Sequence, residues 1–267
     1  MKKNKIEVLK HLRDECSCCL KAAEDWDETY KKDEETFEKL VRLETKLENE
    51  LKSYFKDFSG RVVQHINWLE YRNRVVKAYE VIVDIQEELF EQEEIILKGH
   101  ITQPIIDLTA LGAIAGQKLY NIDLGMSNAH EMVLKSARTQ VADLVKGVSK
   151  TTKKRIRQSI AISIELGESN DEATQRLQKI IKNPKRAELI ARTESVNAYQ
   201  DGLMAFAKES GATSKTWQTT ALKVCHICIP LNGITLPIDE SFQTKVGPRL
   251  KPTAHPRCKC GMVYNYD

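Results

Sequence analysis

The stretch NPKRAELIARTESVNAYQDGLMAFAKESG, residues 183–211, predicts one long helix and marks where the helical part of the chain ends. Asn183 suits the N-cap and Pro184 the first helical position, while Gly211 is typical of the left-handed residue that terminates a helix. After Gly211 the apolar period changes from 3.6 to 2, and SKTWQTT (214–220) alternates like a short strand. The sequence therefore predicts a mainly α protein with a small β cap at its carboxy-terminal end (α+β).

The first hundred residues favour a helical hairpin. They contain no proline and only two glycines, Gly60 and Gly99. Apolar residues recur at intervals of three and four, the period of a helix with one buried face: Leu40, Leu43, Leu47, Leu51, Tyr54 and Phe58. We interpret Gly60 as the break between two antiparallel helices. KGHITQP (98–104) combines a glycine with the first proline, so it is the predicted domain boundary.

The rest of the chain predicts a second domain over residues 105–267. Its helices occupy 105–210, and a strand-and-loop cap follows over 212–267. Separate helices are expected over 105–119, 128–146 and 150–166. Ser169 and Glu172 have the spacing of a capping box, which predicts the start of the next helix. Asn232-Gly233 lies between apolar flanks and predicts a hairpin turn.

Charge is distributed unevenly along the chain. Residues 1–100 carry 18 Lys+Arg and 23 Asp+Glu, a balance of −5, and the remainder carries 23 against 15, a balance of +8. One segment, residues 146–157, holds six basic residues and no acid: Lys146, Lys150, Lys153, Lys154, Arg155 and Arg157. It is interpreted either as a solvated helix face, as a contact for DNA phosphates, or as a contact for an acidic protein surface.

Membrane and secreted classes are not expected. No run of eighteen apolar residues occurs, so no membrane span is predicted. The segment MKKNKIEVLKHLRDEC (1–16) meets new charges before any apolar run forms, unlike a secretory signal peptide. The cysteines are therefore expected in a reducing compartment.

Four cysteines form two clusters in the cap. Cys225 and Cys228 have the spacing of a metal-binding turn, and Cys258 and Cys260 point to the same side of an extended segment, close to His255. These five donors predict one structural zinc ion, held by four of them. Disulfides or unliganded thiols are the alternatives. The remaining three cysteines are interpreted as small apolar side chains of a helix: Cys16, Cys18 and Cys19.

Four segments together resemble a known family: RAELIARTESVNAYQDG (186–202), KTWQTT (215–220), VCHICIPLNG (224–233) and HPRCKC (255–260). Their order is similar to that of the phage Mu protein F-like minor head proteins, the head morphogenesis proteins of tailed bacteriophages. The resemblance covers roughly residues 105–265, so 105–267 is expected to be the Mu F-like domain.

The resemblance implies a structural role. The chain is expected to be a low-copy minor capsid protein inside the head, associated with the portal protein and with capsid or scaffolding proteins. It would be present in the host cytoplasm during assembly and would touch packaged double-stranded DNA without sequence preference. No catalytic residue and no membrane contact are expected.

The helix signature of this resemblance contains Glu188, Arg192, Thr193 and Glu194. Glu188 and Arg192 are four residues apart and can pair on the helix surface. We interpret Arg192 and Glu194 as residues that bridge the helix to the cap or to a partner protein.

Two other classes of function are considered. One is a zinc-dependent regulator that binds nucleic acid, which predicts tight and sequence-selective binding. The other is an enzyme, a nuclease or a relative of the ADP-ribosyltransferases, which predicts a cleft with paired carboxylates. Near the cap the sequence offers only Asp239-Glu240 as such a pair.

Overall fold

The structure is a computed structural model that describes residues 33–73, 87–219, 226–258 and 260–266. The predictions for Cys16, Cys18, Cys19 and Cys225 lie outside these residues. The helices are α1 Glu34–Gln64, α2 Trp68–Asn73, α3 Glu87–Tyr120, α4 Met126–Leu166, α5 Asn170–Ile181 and α6 Pro184–Glu209. The strands are β1 Ser214–Gln218, β2 Thr235–Pro237, β3 Phe242–Thr244, β4 Gly247–Arg249 and β5 Gly261–Asn265. The predicted class, mainly α with a small β cap, is confirmed.

The described residues divide into two compact units. The helical unit consists of residues 42–108 and 133–195. The cap unit consists of residues 33–41, 109–132 and 196–266. The predicted division at residues 100–105 stays a prediction. None of the helices within the described residues combines the length and apolar character needed to cross a bilayer.

Helix α1 forms because its apolar residues make one continuous buried stripe. Leu47 and Leu51 are fully buried, and Phe58 and Val62 continue the same face. The predicted break at Gly60 is wrong, because the helix runs through this glycine to Gln64. The burial of Val62 stabilises one further helical turn. This gain exceeds the cost of a single exposed glycine in the helix.

At two further places where the sequence predicted a helix break, the helix continues. The segment 98–104 lies inside α3, where Leu97, Ile101 and Ile105 are buried at helical spacing on both sides of Pro104. Residues 126–166 form the single helix α4, because Val148 and Ser149 are buried and continue the inward face past Gly147. In both places the packing of apolar side chains overrides the local helix-breaking signal.

The predicted ends of α5 and α6 are confirmed. Ser169 and Glu172 form the reciprocal capping box at the start of α5. The Asn183 Oδ1 atom accepts a hydrogen bond of 3.0 Å from the backbone N–H of Lys185, as an N-cap residue does. Gly211, the second residue after α6, has a φ of +85°, the left-handed conformation predicted for the residue that terminates this helix.

In the cap unit, α3 and α6 approach so closely that their backbones touch. A Cβ atom placed on Gly202 would lie 1.9 Å from the carbonyl oxygen of Thr109, and one on Gly112 would lie 2.0 Å from that of Tyr199. No side chain fits at either position, so both glycines are required by this contact. The crossing fixes the carboxy-terminal half of α6, from which the cap continues.

The cap contains a three-stranded antiparallel sheet in the order β2-β1-β5 and a two-stranded pair, β3-β4. Trp217 of β1 is fully buried and packs against Phe242 with ring centroids 5.2 Å apart. The turn before β2 differs from the predicted hairpin turn: only Gly233 has a positive φ, and Asn232 is extended. This is a type II turn, which joins a 3-10 helix (Ile229–Leu231) to β2.

Candidate functional site

Two turns of the cap unit bring three potential metal ligands together. Cys228 immediately precedes the 3-10 helix, and His255 and Cys258 flank a tight turn in which the Cys258 N–H donates to the His255 carbonyl at 3.1 Å. The Cys228 Sγ atom lies 3.3 Å from His255 Nε2 and 3.7 Å from Cys258 Sγ. All three ligand atoms lie within 4.8 Å of one another.

The hydrogen bond of His255 leaves the nitrogen that faces the cysteines able to bind a cation. Its Nδ1 atom is 2.8 Å from the carbonyl oxygen of Pro256. A carbonyl only accepts, so Nδ1 carries the proton, and in the neutral ring Nε2 has a lone pair. Metal-ligating histidines have this arrangement, in which the second ring nitrogen donates to a backbone carbonyl.

The distances match a tetrahedral zinc site. Zinc bonds of about 2.3 Å to sulfur and about 2.0 Å to nitrogen place two sulfurs about 3.8 Å apart, and a sulfur and a nitrogen about 3.5 Å apart. The observed separations of 3.7 Å and 3.3 Å are close to these values. Cys228 and Cys258 are each only 1% exposed, and both are therefore shielded from solvent. These residues fit a metal ion.

The cysteines interact electrostatically with one another. The hydrogen bond with Cys228, followed by that with Cys260, holds the pKa of the Cys258 thiol well below its usual range despite its burial. The Cys260 thiol behaves oppositely. Its hydrogen bond with Cys228 favours the thiolate, but the hydrogen bond with Cys258 and burial raise its pKa overall. The cluster therefore favours at least one thiolate, the form that binds metals.

The fourth position of the site has two candidates. Cys260 is 4% exposed and interacts electrostatically with Cys228 and Cys258, but its sulfur is not among the three ligand atoms that lie within 4.8 Å of one another. Cys225 lies outside the described residues. No disulfide joins Cys228, Cys258 and Cys260 to one another.

Helix α6 holds the loop that carries His255. The Asn197 Oδ1 atom accepts hydrogen bonds from the backbone N–H and the hydroxyl of Thr253, at 3.3 Å and 2.8 Å. Lys251 donates to the Asn197 carbonyl at 3.2 Å and pairs with Asp201 at 3.3 Å. Sequence analysis did not identify these residues, because the partners are 50 or more positions apart. The one signal in the sequence that could have pointed to these contacts was the presence of polar residues on the surface of α6 that no helix cap requires.

The predicted signature residues of α6 lie in the helical unit and make contacts there. Arg192 Nε lies 3.3 Å from a Glu44 carboxylate oxygen, and Arg192 also pairs with Glu188 at 3.5 Å, as its spacing predicted. The Thr193 hydroxyl donates to the Leu189 carbonyl within the same helix. Gln140 donates to the backbone carbonyl and the carboxylate of Glu194. These contacts tie α6 to α1 and α4; a role in binding a partner stays a prediction.

The basic segment lies on α4. Four of its residues recur at intervals of three and four and form one exposed stripe, about 17 Å long, that we call the basic stripe: Lys146, Lys150, Lys154 and Arg157. Lys153 flanks the stripe, with its Nζ atom 4.6 Å from the centre of the Phe90 ring. Arg155 points away from the stripe and lies near Arg186, whose pKa is lowered to about 10, mainly by burial.

Arg186 explains why the segment packs where it does. Arg186 is 7% exposed, and its guanidinium lies 4.4 Å from the centre of the Phe55 ring and donates to Thr152 at 2.6 Å and to Thr151 at 3.1 Å. The inward face of the segment is therefore occupied by contacts to α6, and its outward face is left to the basic stripe.

Comparison with known proteins identifies one part of the chain. Residues 154–263 match the family model described as Phage Mu protein F like protein. No curated protein and no solved structure shows significant similarity to the chain. The match includes all of α6, strands β1 to β4, the first part of β5 and the Cys228–His255–Cys258 cluster, so the resemblance predicted from the sequence is confirmed over these residues. Residues 154–263 are therefore similar to the Phage Mu protein F-like family, which is linked to the morphogenesis of phage heads.

Proposed function

We propose that this protein is a low-copy minor capsid protein of a tailed phage, with no enzymatic activity, that associates with the portal inside the head. The observation that carries the proposal is the family match over residues 154–263, the region in which the cap is assembled. The protein would be made in the host cytoplasm and then retained in the virion. Capsid or scaffolding proteins are further expected partners.

In this proposal a zinc ion has a structural role. Cys228, His255 and Cys258 would hold it, with Cys225 or Cys260 in the fourth position. A bound zinc supplies a crosslink between the turn at residue 228 and the turn at residues 255–258. The protein's own residues orient these turns: Pro256 through its carbonyl, and Asn197 through the Thr253 contacts.

The basic stripe supports sequence-independent contact with DNA. Its residues are exposed, share one helix face and make no ion pair to any residue that the structure describes. Contacts with phosphates need positive charge alone and release counterions, so the affinity falls steeply as salt increases. The alternative is that an acidic surface of the portal protein binds to the same stripe.

The assignment to the virion is tested by mass spectrometry of purified particles, with cross-linking to locate neighbours. We expect a few copies of the chain per particle and cross-links between it and the portal protein. A chain that is present in infected cells but missing from purified particles would contradict the proposal.

The DNA contact is tested by measuring affinity as a function of salt concentration. Replacing both Lys150 and Lys154 by glutamine should lower the slope of log affinity against log salt by about 2, roughly one for each lost phosphate contact. The matched control replaces the exposed Lys98 and Lys245, which changes the net charge equally and should leave the slope unchanged. Equal losses in both variants would contradict a localised site. Strong preference for one DNA sequence would instead favour the regulator class.

A further inference from the structure

The helical unit buries one positive charge that no described carboxylate balances. Arg186 is 7% exposed, and within the described part of the chain it forms no ion pair. Its Nη2 atom donates to the Val148 carbonyl and to the hydroxyls of Thr151 and Thr152. The buried Nη1 atom has no hydrogen-bond partner among the residues that the structure describes. Buried charges in proteins are normally paired, because an unpaired one loses its hydration without compensation. This arrangement therefore favours an anion from outside the chain.

A second arginine lies beside this buried charge. Thr151, which accepts a hydrogen bond of 3.1 Å from Arg186, and Arg155 are four residues apart on α4 and share one face of that helix. Both are exposed, so Arg155 lies at the surface, one helical turn from a residue that the buried guanidinium contacts. Burial, followed by repulsion from Arg155, lowers the pKa of Arg186 to about 10. Two like charges within this range destabilise each other unless an anion lies beside them.

The chemistry of these side chains selects a phosphate group. A guanidinium presents paired N–H donors that match two oxygens of a phosphate. Arg155 offers such a pair at the surface, while the charge of Arg186 lies in a water-poor interior and is weakly screened. Lys150 and Lys154 of the basic stripe directly precede Thr151 and Arg155 in the sequence, so they lie on the adjoining face of α4. A strand that carries phosphates in a row therefore meets both groups of charges.

We propose that Arg155 and Arg186 form a phosphate-binding site, in which Arg155 contacts the phosphate oxygens and the buried Arg186 supplies a second charge behind Thr151. This inference deepens the proposed contact with DNA and rests on it for the source of the phosphate. Inorganic phosphate offers the same chemistry. The backbone amides at the start of α6 are not needed, because the N–H groups of Lys185 and Arg186 already donate to Asn183.

The site is tested first with inorganic phosphate and the full chain. Thermal unfolding is followed by circular dichroism, which reports on the helices, in sodium phosphate and in sodium chloride of equal ionic strength. At a phosphate concentration ten times the dissociation constant, we expect the midpoint of unfolding to rise by about 3 °C. Equal midpoints in the two salts would overturn the inference, and so would an equal rise with polyglutamate.

Substitutions assign the effect to the two arginines. Arg155→Gln and Arg186→Met should each abolish the rise that is specific to phosphate, because each removes one of the two charges. Methionine keeps an unbranched apolar chain against Phe55. The matched control is Arg157→Gln, which removes one charge from the basic stripe and should keep the rise. Arg155 is exposed, so Arg155→Gln decides the outcome where Arg186→Met does not fold. A rise that survives in Arg155→Gln would overturn the inference.

Affinity for a short DNA duplex separates this site from the proposed DNA contact. Arg155→Gln should lower the slope of log affinity against log salt by about 1, the value for one lost phosphate contact. A rise with inorganic phosphate in a chain that does not bind DNA would overturn the DNA contact and support a site for free phosphate. DNA binding that Arg155→Gln leaves unchanged would overturn the site and leave the contact through the basic stripe intact.

Discussion

The helical unit and the cap unit are stabilised by different means. In the helical unit, Leu47, Leu51, Ile101 and Leu108 are fully buried along helices of more than thirty residues. In the cap unit, residues 226–258 contain only short strands and one 3-10 helix, and two cysteines are among the few side chains there that are fully shielded. Apolar packing along helices stabilises the first unit, whereas residues 226–258 of the cap unit depend on a small number of specific contacts.

Removal of the metal is the change with the largest expected effect, and it should affect the cap unit alone. Structural zinc contributes on the order of 10 kcal/mol to small domains that contain little other core. After chelation, we expect amide protons of β1 and β5 to lose their protection from hydrogen exchange. The helices of residues 42–108 and 133–195 should keep theirs. Cap strands that stay protected without metal would contradict the structural role of the ion.

The comparison also shows what the sequence could predict. The capping box at Ser169 and the helix ends at Asn183 and Gly211 were predicted correctly, because each depends on residues within one turn. The breaks expected at Gly60 and at residues 98–104 were wrong, since burial of residues such as Val62 and Ile101 continues the helix through them. A local breaking signal does not reveal what lies on the buried face.

The candidate site was predictable in part, for a similar reason. The spacing of the cysteines predicted a ligand set, and the structure brings three of the five predicted donors within 4.8 Å of one another. The contacts that hold the loop could not be predicted, because Asn197 and Thr253 are 56 positions apart.

The second prediction concerns the glycine contact between α3 and α6, where the cap unit does depend on close packing. Gly202→Ala places a methyl group 1.9 Å from the Thr109 carbonyl oxygen and forces the helices apart. We expect the free energy of unfolding to fall by about 3 kcal/mol, the upper part of the range for overpacking. Urea denaturation measures this change.

Gly60→Ala is the matched control in α1. A Cβ atom at Gly60 meets no atom within 4 Å, so alanine should increase stability by about 1 kcal/mol through its higher helix propensity. A loss below about 1 kcal/mol for Gly202→Ala would mean that the two helix backbones are not in contact.

The third prediction, with the smallest effect at neutral pH, concerns a buried charge in the cap. Lys215 is fully buried, donates to the Ile238 carbonyl at 2.6 Å, and has its pKa lowered to about 8, mainly by burial. Below pH 8 both folded and unfolded states carry the proton. Between pH 8 and about 10.5 the unfolded state binds one more proton than the folded state, so stability rises with pH by about 1.4 kcal/mol per unit. Lys215→Met removes this dependence.

Urea denaturation of both proteins at several pH values measures the difference in their free energies of unfolding. Between pH 7.5 and pH 10.5, the free energy of unfolding of the wild-type protein should rise by up to about 3 kcal/mol relative to that of Lys215→Met. The direction follows from the lowered pKa of a basic group: the stabilising contribution is present above about pH 10.5 and is lost as the pH falls from there to about 8. A difference that stays constant over this interval would mean that Lys215 reaches solvent, and that the cap tolerates water where the helical unit excludes it.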